Sequence, residues 1–316
     1  MAIQSKSNRK IAVVGVGSVG ASVAYALAIS GLVSELVLVD VNSAKAEGEA
    51  MDLAHAAAFI KPVTIYAGTF EDCRDAGIII YCAGASQKPG ETRLDLLQKN
   101  YAILRGSLPE LRFGSGDGIL LIVSNPVDVL TYAALKITGL PPERVFGSGT
   151  VLDSSRFRHN LSRHCGVAPR NIHAYVVGEH GDSEVLLWSL AYIAGTGLDR
   201  FCGLAGIPPV NRQEVDASVR NAGYEIISRK GATYYAVSLA VRRICESIIR
   251  DENTILTISG LIDGIYGVSG CCLSLPAVVN SHGRGSPLKL PLAGEEEEAL
   301  RRSAGILKAA INQINL

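Results

Sequence analysis

Short, almost unbroken apolar runs recur through the first half of the chain, with room for a helix between them. Ile11–Val14, Leu36–Val39, Val63–Tyr66, Gly77–Cys82 and Ile119–Val123 each read as a strand. Continuous rather than alternating apolarity predicts strands covered on both faces, as in a parallel sheet. Ala21–Ser30 is a run of small residues suited to a helix lying close against a sheet, and Arg93–Leu111 reads as another helix. Strand and helix in alternation predict an α/β fold with a Rossmann-type doubly wound parallel sheet.

The pattern changes near Ser148. Asp153–Cys165 reads as a helix, Ile172–Val177 as a strand, and Asn221–Glu246 as a long helix interrupted near Gly231. Thr254–Ile258 and Cys271–Val279 read as strands. Glu295–Ile314 reads as a closing helix, whose four leading glutamates suit the positive end of a helix dipole. The expected organisation is a Rossmann domain over residues 1–148 and an α+β domain over 149–316. Neither repeat nor low-complexity linker separates them, so they are expected to pack as one unit.

Composition narrows the function class. The 316 residues carry 30 Lys+Arg against 30 Asp+Glu, a net charge of zero, which argues against nucleic acid or an anionic membrane as partner. No apolar run approaches the roughly 20 residues of a membrane span. Met1–Lys10 is polar and basic, without the apolar core of a secretion signal, so a cytoplasmic location is expected. Seven cysteines, an odd number without framework spacing, predict reduced thiols. The histidines, His159 and His164 included, lack the H-E-x-x-H arrangement, and no metal is expected.

Gly15-Val16-Gly17-Ser18-Val19-Gly20 follows the first strand and opens the first helix. The pattern alone is weak, since glycine is common here. In this position, however, Gly15 permits a tight turn, Gly17 lets backbone approach a pyrophosphate beside Val19, and Gly20 lets the helix close on the strand. The helix N-terminus then offers free N–H groups to phosphate. Asp40 ends the second strand, about 20 residues beyond the motif. A carboxylate there accepts hydrogen bonds from a ribose diol and repels a 2′-phosphate, favouring NAD over NADP.

Asp153 and Arg156 share a helical face. His180 lies in Gly178-Glu179-His180-Gly181-Asp182, just after a strand. A third polar segment, Gly84 to Arg93, follows the fourth strand, where loops border the ligand crevice of a doubly wound sheet. Taken singly, each feature also reads as an ordinary core histidine, a surface ion pair and a surface loop.

Together with Val123–Asp128 (VSNPVD), Gly147–Arg158 (GSGTVLDSSRFR) and Lys230–Tyr235 (KGATYY), these segments resemble, over essentially the whole chain, the L-lactate dehydrogenase branch of the lactate/malate dehydrogenase family. The resemblance implies that His180 is the proton donor to pyruvate and acceptor from lactate, that Asp153 orients it, that Arg156 grips the substrate carboxylate, and that Arg93 closes with its loop to polarise the carbonyl. It implies that Asn125 lies by the carbonyl and the nicotinamide, and Thr233 by the small end of the substrate. Gly84, Ala85, Val123, Ser124 and Ser148 would line the cofactor, with Lys45 a weaker contact at the adenosine end. Gln87 stands where the malate branch has an arginine, which favours a monocarboxylate: a second carboxylate would be buried without a charge partner. Arg158 and His173 match a pair that binds fructose 1,6-bisphosphate in bacterial members, and a homotetramer is implied. Ser86, Ser154-Ser155 and Cys271–Pro276 depart from the family pattern without removing a charged catalytic group. The alternatives are a malate dehydrogenase or relaxed 2-oxo acid reductase and, from another class, an NAD-binding structural protein.

Overall fold

The computed structural model describes residues 9–85, 92–111 and 118–314. The first half runs β1 (Lys10–Val14), α1 (Ser18–Ser30), β2 (Glu35–Val39), α2 (Ser43–His55), β3 (Thr64–Ala67), β4 (Ile78–Tyr81), α3 (Arg93–Ser107), β5 (Ile119–Ile122), α4 (Val127–Thr138) and β6 (Val145–Gly147). The second runs α5 (Val151–Cys165), β7 (Ile172–His173), β8 (Val176–Val177), β9 (Val185–Leu186), β10 (Tyr192–Ile193), β11 (Thr196–Gly197), α6 (Leu198–Ala205), α7 (Arg212–Lys230), α8 (Tyr235–Ile249), β12 (Thr254–Ile262), β13 (Cys271–Asn280), β14 (Gly283–Pro287) and α9 (Gly294–Ile311).

The parallel strands lie in the order β3-β2-β1-β4-β5-β6, the doubly wound arrangement. Their continuous apolarity is explained by two cores. Ala12, Val14, Ile79, Tyr81, Leu120 and Ile122 face one of them. Their neighbours Ile11, Val13, Ile78, Ile80, Ile119 and Leu121 face the other. Alternate residues leave opposite faces of a strand, so every position here is buried, and each large aliphatic contributes roughly 1.5–3 kcal/mol.

The sheet does not stop at β6. Ser259 of β12 pairs antiparallel with Gly147, and β13 and β14 extend the same sheet to nine strands. Thr150, at the start of α5, is buried and donates from Oγ1 to the carbonyl of Val176, 2.5 Å away. Ser154 Oγ accepts the N–H of Val176 at 2.9 Å. These bonds tie α5 to the second half's small sheets.

Two expected elements differ. Ile172–Val177 is not one strand: β7 pairs with β10 and β8 with β9, in separate sheets. The break comes at Ala174, whose carbonyl accepts from Arg158 Nε at 2.9 Å instead of joining a ladder. The helix over Asn221–Glu246 is interrupted at Gly231 as expected, but its first part starts earlier, at Arg212. Asn211 caps it by accepting the Glu214 N–H. Gly231, at φ +84°, ends it in the left-handed conformation that favours glycine.

Candidate active site

The crevice lies at the carboxyl ends of the parallel strands, where the winding reverses between β1 and β4. Gly15 has φ +88°, and a Cβ there would fall 2.4 Å from Ala83 Cα. At Gly20 a Cβ would sit 1.9 Å from the Gly15 carbonyl oxygen. Both glycines are required by the protein itself. Gly17 is different: a Cβ would meet nothing within 4 Å. It begins α1 without a side-chain cap, leaving helix-terminal N–H groups facing open space. Asp40 holds this loop in place, accepting the N–H of Val16 at 2.8 Å and of Asn42 at 3.0 Å.

The loops after β4 and β5 are joined by a buried side chain of α3. Asn100, 2% exposed, accepts the N–H of Ala85 at 2.7 Å and donates to the Asn125 carbonyl at 2.7 Å. Ser124 Oγ donates to the Ala83 carbonyl at 2.6 Å. Gly84, Ala85, Val123, Ser124, Asn125 and Ser148 therefore border one crevice. The Ser148 N–H is held by the Ile122 carbonyl at 2.8 Å. Thr92 and Asp95 form a reciprocal capping box at the start of α3, the helix that Arg93 opens.

Opposite these loops, α5 presents Asp153 and Arg156 one turn apart. Asp153 Oδ2 lies 2.6 Å from His180 Nδ1, and Asp153 Oδ1 accepts from Arg156 Nη1 at 2.8 Å. The carboxylate is 2% exposed, the guanidinium 16% and the imidazole 24%. Burial by itself would lower the proton affinity of His180, but the adjacent Asp153 outweighs it and the ring titrates at about 9. Reciprocally, burial would raise Asp153, and the two cations hold it below the usual carboxylate range. The site thus unites a proton-bearing imidazole, an orienting carboxylate and a cation for an anionic substrate. Among the described residues Arg156 is ion-paired only through Nη1.

Residues 9–147 match the family description "lactate/malate dehydrogenase, NAD binding domain", and residues 150–315 match "lactate/malate dehydrogenase, alpha/beta C-terminal domain". The chain belongs to the lactate/malate dehydrogenase family. It is 55% identical to the L-lactate dehydrogenase of Moorella thermoacetica over 97% of this chain and 98% of that protein. Against the L-lactate dehydrogenase of Thermoanaerobacterium saccharolyticum the identity is 52%, over 97% and 99%. The crystal structure of the minor L-lactate dehydrogenase of Enterococcus mundtii in its ligands-bound form has a TM-score of 0.94 at 39% identity, covering 98% of this chain and 99% of that one.

As in other members of the lactate/malate dehydrogenase family, NAD is the cofactor. The crevice fits it, with open space at Gly17 for backbone approach to phosphate and the Asp40 carboxylate at the end of β2. Val19 is half-buried in the first turn of α1, and Lys45 is exposed on α2. Thr233 is half-buried in the link between α7 and α8. In that link Lys230 Nζ lies 3.4 Å from the Tyr234 ring centroid and 4.0 Å from that of Tyr235. Arg158 lies over the Tyr175 ring, while His173 is exposed on β7 nearby. Ser86, Gln87 and the Arg93 side chain lie outside the described residues. The described cysteines are free thiols. Among the described residues no helix is long and apolar enough to cross a membrane, and no group of three metal-ligating side chains converges.

Sequence reasoning missed three site residues. Asn100 is one. Asp128, in the first turn of α4, accepts the backbone N–H of His180 at 2.8 Å. Burial pushes its carboxyl up to about 6, against the opposing pull of Ser259 and His180. Glu184 is the third, buried in the turn after His180. The VSNPVD segment drew attention to Asn125 rather than Asp128, and nothing in the pattern connected Asp128 to a turn 52 residues away.

Proposed function

We propose that the chain catalyses the reversible conversion of pyruvate, NADH and a proton into (S)-lactate and NAD+. The observation that carries this is one buried carboxylate joining His180 and Arg156, which puts a protonated imidazole beside a carboxylate-binding cation. The names and near-complete coverage of the relatives support the same reaction.

Arg156 binds the substrate carboxylate through its planar fork. NADH, when bound there, would supply the hydride for the carbonyl carbon. His180 delivers its ring proton to the carbonyl oxygen, and Asp153 holds the ring in the tautomer that keeps Nδ1 protonated while Nε2 works. Arg93 stabilises the charge that grows on that oxygen as its loop excludes water. Asn125 and Thr233 flank the reacting carbonyl and the methyl end. Gln87 leaves a second carboxylate without a partner and so rejects oxaloacetate. Gly15, Gly17, Val19, Gly20, Asp40, Lys45, Gly84, Ala85, Val123, Ser124 and Ser148 would hold the cofactor. Residues 1–148 form the cofactor domain and 149–316 the substrate domain. The protein works in the cytoplasm as a homotetramer, with Arg158 and His173 in a fructose 1,6-bisphosphate site.

The deciding assay is NADH oxidation with pyruvate and with oxaloacetate, each with and without fructose 1,6-bisphosphate. Pyruvate is expected to have the higher kcat/KM. A preference for oxaloacetate overturns the substrate assignment, and no response to the bisphosphate overturns the effector site. His180→Ala is expected to bind NADH yet lose turnover by orders of magnitude.

A further inference from the structure

Glu184 belongs to the turn between β8 and β9 that also carries His180. The residue is 3% exposed, and among the described residues its buried Oε1 finds no hydrogen-bond partner. Arg220, from α7, donates Nη2 to the Glu184 backbone carbonyl at 3.2 Å. The charged groups facing this carboxyl are Asp153 and Arg156 on α5, His180 on its own turn and Arg220 on α7. A buried carboxyl short of partners holds its proton. Burial, with Asp153 adding to it, pushes Glu184 up to about 8 against the pull of His180, Arg156 and Arg220.

We propose that Glu184 is a proton-linked positioning residue of the substrate site, and that a 2-oxo acid anion binds tightly only while the Glu184 carboxyl is neutral. This rests on the reading that Arg156 takes the substrate carboxylate. An anion on Arg156 offsets one of the three cations that favour ionised Glu184, and it adds a negative charge beside Asp153. Substrate binding therefore draws a proton onto Glu184. By linkage, an ionised Glu184 weakens binding by the same factor. His180 must also be protonated, so binding weakens with two protons at alkaline pH rather than one.

The test is the affinity of oxamate, an unreactive 2-oxo acid analogue, for the enzyme–NADH complex from about pH 6 to about pH 9.5, in wild type and Glu184→Gln. Glutamine mimics the neutral carboxyl. The two proteins are expected to bind equally near pH 6. Near pH 9 the variant should bind about tenfold more tightly, with a single-proton slope. Curves that run parallel, including a uniform loss at every pH, overturn the proposal. A second readout uses only wild type: near pH 8.5, oxamate should raise an infrared band of a protonated carboxyl, and no such band also overturns it. Arg156→Lys separates the two readings. Undiminished oxamate affinity in that variant refutes the Arg156 assignment. Weakened affinity there, with parallel curves for Glu184→Gln, refutes the Glu184 linkage alone.

Discussion

Replacing Asp153 with asparagine removes one charge from the site and nearly preserves its shape. In wild type, the carboxylate 2.6 Å from Nδ1 overcomes the effect of burial and moves His180 from 6.5 to about 9. At about 1.36 kcal/mol per tenfold change in proton affinity, that is a preference of roughly 3 kcal/mol for the protonated ring. Only 24% of the imidazole is exposed, so solvent screens little of it. In Asp153→Asn burial acts with less opposition, and the ring should titrate at or below its ordinary value. Pyruvate reduction uses the protonated ring. In the proposed mechanism wild-type kcat/KM for pyruvate should hold through neutral pH and fall as Glu184 ionises near 8 and His180 loses its proton near 9. In the variant the fall begins near 6.5 or lower. Near pH 7.5 the protonated fraction drops from almost complete to about a tenth, so titration alone costs about tenfold in kcat/KM. The true loss should be larger, because the amide can turn its NH2 toward Nδ1 and fix the wrong tautomer, and Arg156 loses its 2.8 Å partner. Stability follows the same sign. A raised histidine contributes stability that is fully present below about 6.5 and lost as pH rises through about 9. Wild-type Tm should therefore fall across that window more steeply than that of the variant. Steady-state pH profiles decide the matter: an alkaline limb that stays between about 8 and about 9 in Asp153→Asn refutes the role given to this carboxylate.

Gly17→Ala should leave Tm nearly unchanged, since its Cβ meets nothing within 4 Å, while NADH binding measured by fluorescence weakens about tenfold or more; unchanged affinity would remove the pyrophosphate from this loop. Asp40→Ser should narrow the preference for NADH over NADPH, read as the ratio of their kcat/KM values, and should lower Tm slightly because Val16 and Asn42 lose an acceptor. Asn100→Ala should cost about 2–3 kcal/mol in denaturant unfolding, because the Ala85 N–H and Asn125 carbonyl lose a buried partner. It should also raise KM for both substrates, and a stability loss with unaltered KM would make Asn100 a purely structural clip.

How much of this was legible in the sequence depends on how locally each feature is encoded. Strands β1, β4 and β5 announce themselves because both faces are buried and their positions favour apolar residues, while the edge strand β3 is only half-buried. The split of Ile172–Val177 was not legible, because its partners Tyr192–Ile193 and Val185–Leu186 are two residues long and carry no periodicity. The cause of the split, Arg158 taking the Ala174 carbonyl, comes from another element altogether. The early start of α7 had a local signal in Asn211, a capping residue three positions before Glu214. Strand β6, three residues long, and helix α4 followed apolar stretches too short or too uniform to separate helix from strand.

The site divides the same way. Gly15 and Gly20 were legible because motif spacing fixes their geometry, and Asp153, Arg156 and His180 because of the family resemblance. Asp128, Asn100 and Glu184 were not, because each acts by where the fold buries it. An acid in the first turn of α4 reads as a dipole partner until it is found holding the His180 N–H. Burial and the neighbouring cations then sort the carboxyls around this histidine: His180 and Arg156 hold Asp153 low against its burial, while burial moves Asp128 to about 6 and Glu184 to about 8. Near pH 7 the sorting has a consequence for function. Asp153 and Asp128 are negative while His180, Arg156 and Arg220 are positive, and an ionised Glu184 would add a further negative charge beside Asp153, where the proposed substrate is itself an anion. Among the described residues its Oε1 has no hydrogen-bond partner, and that gap, which looks like a defect in packing, disfavours the ionised carboxyl and so favours entry of the anion in the proposed site.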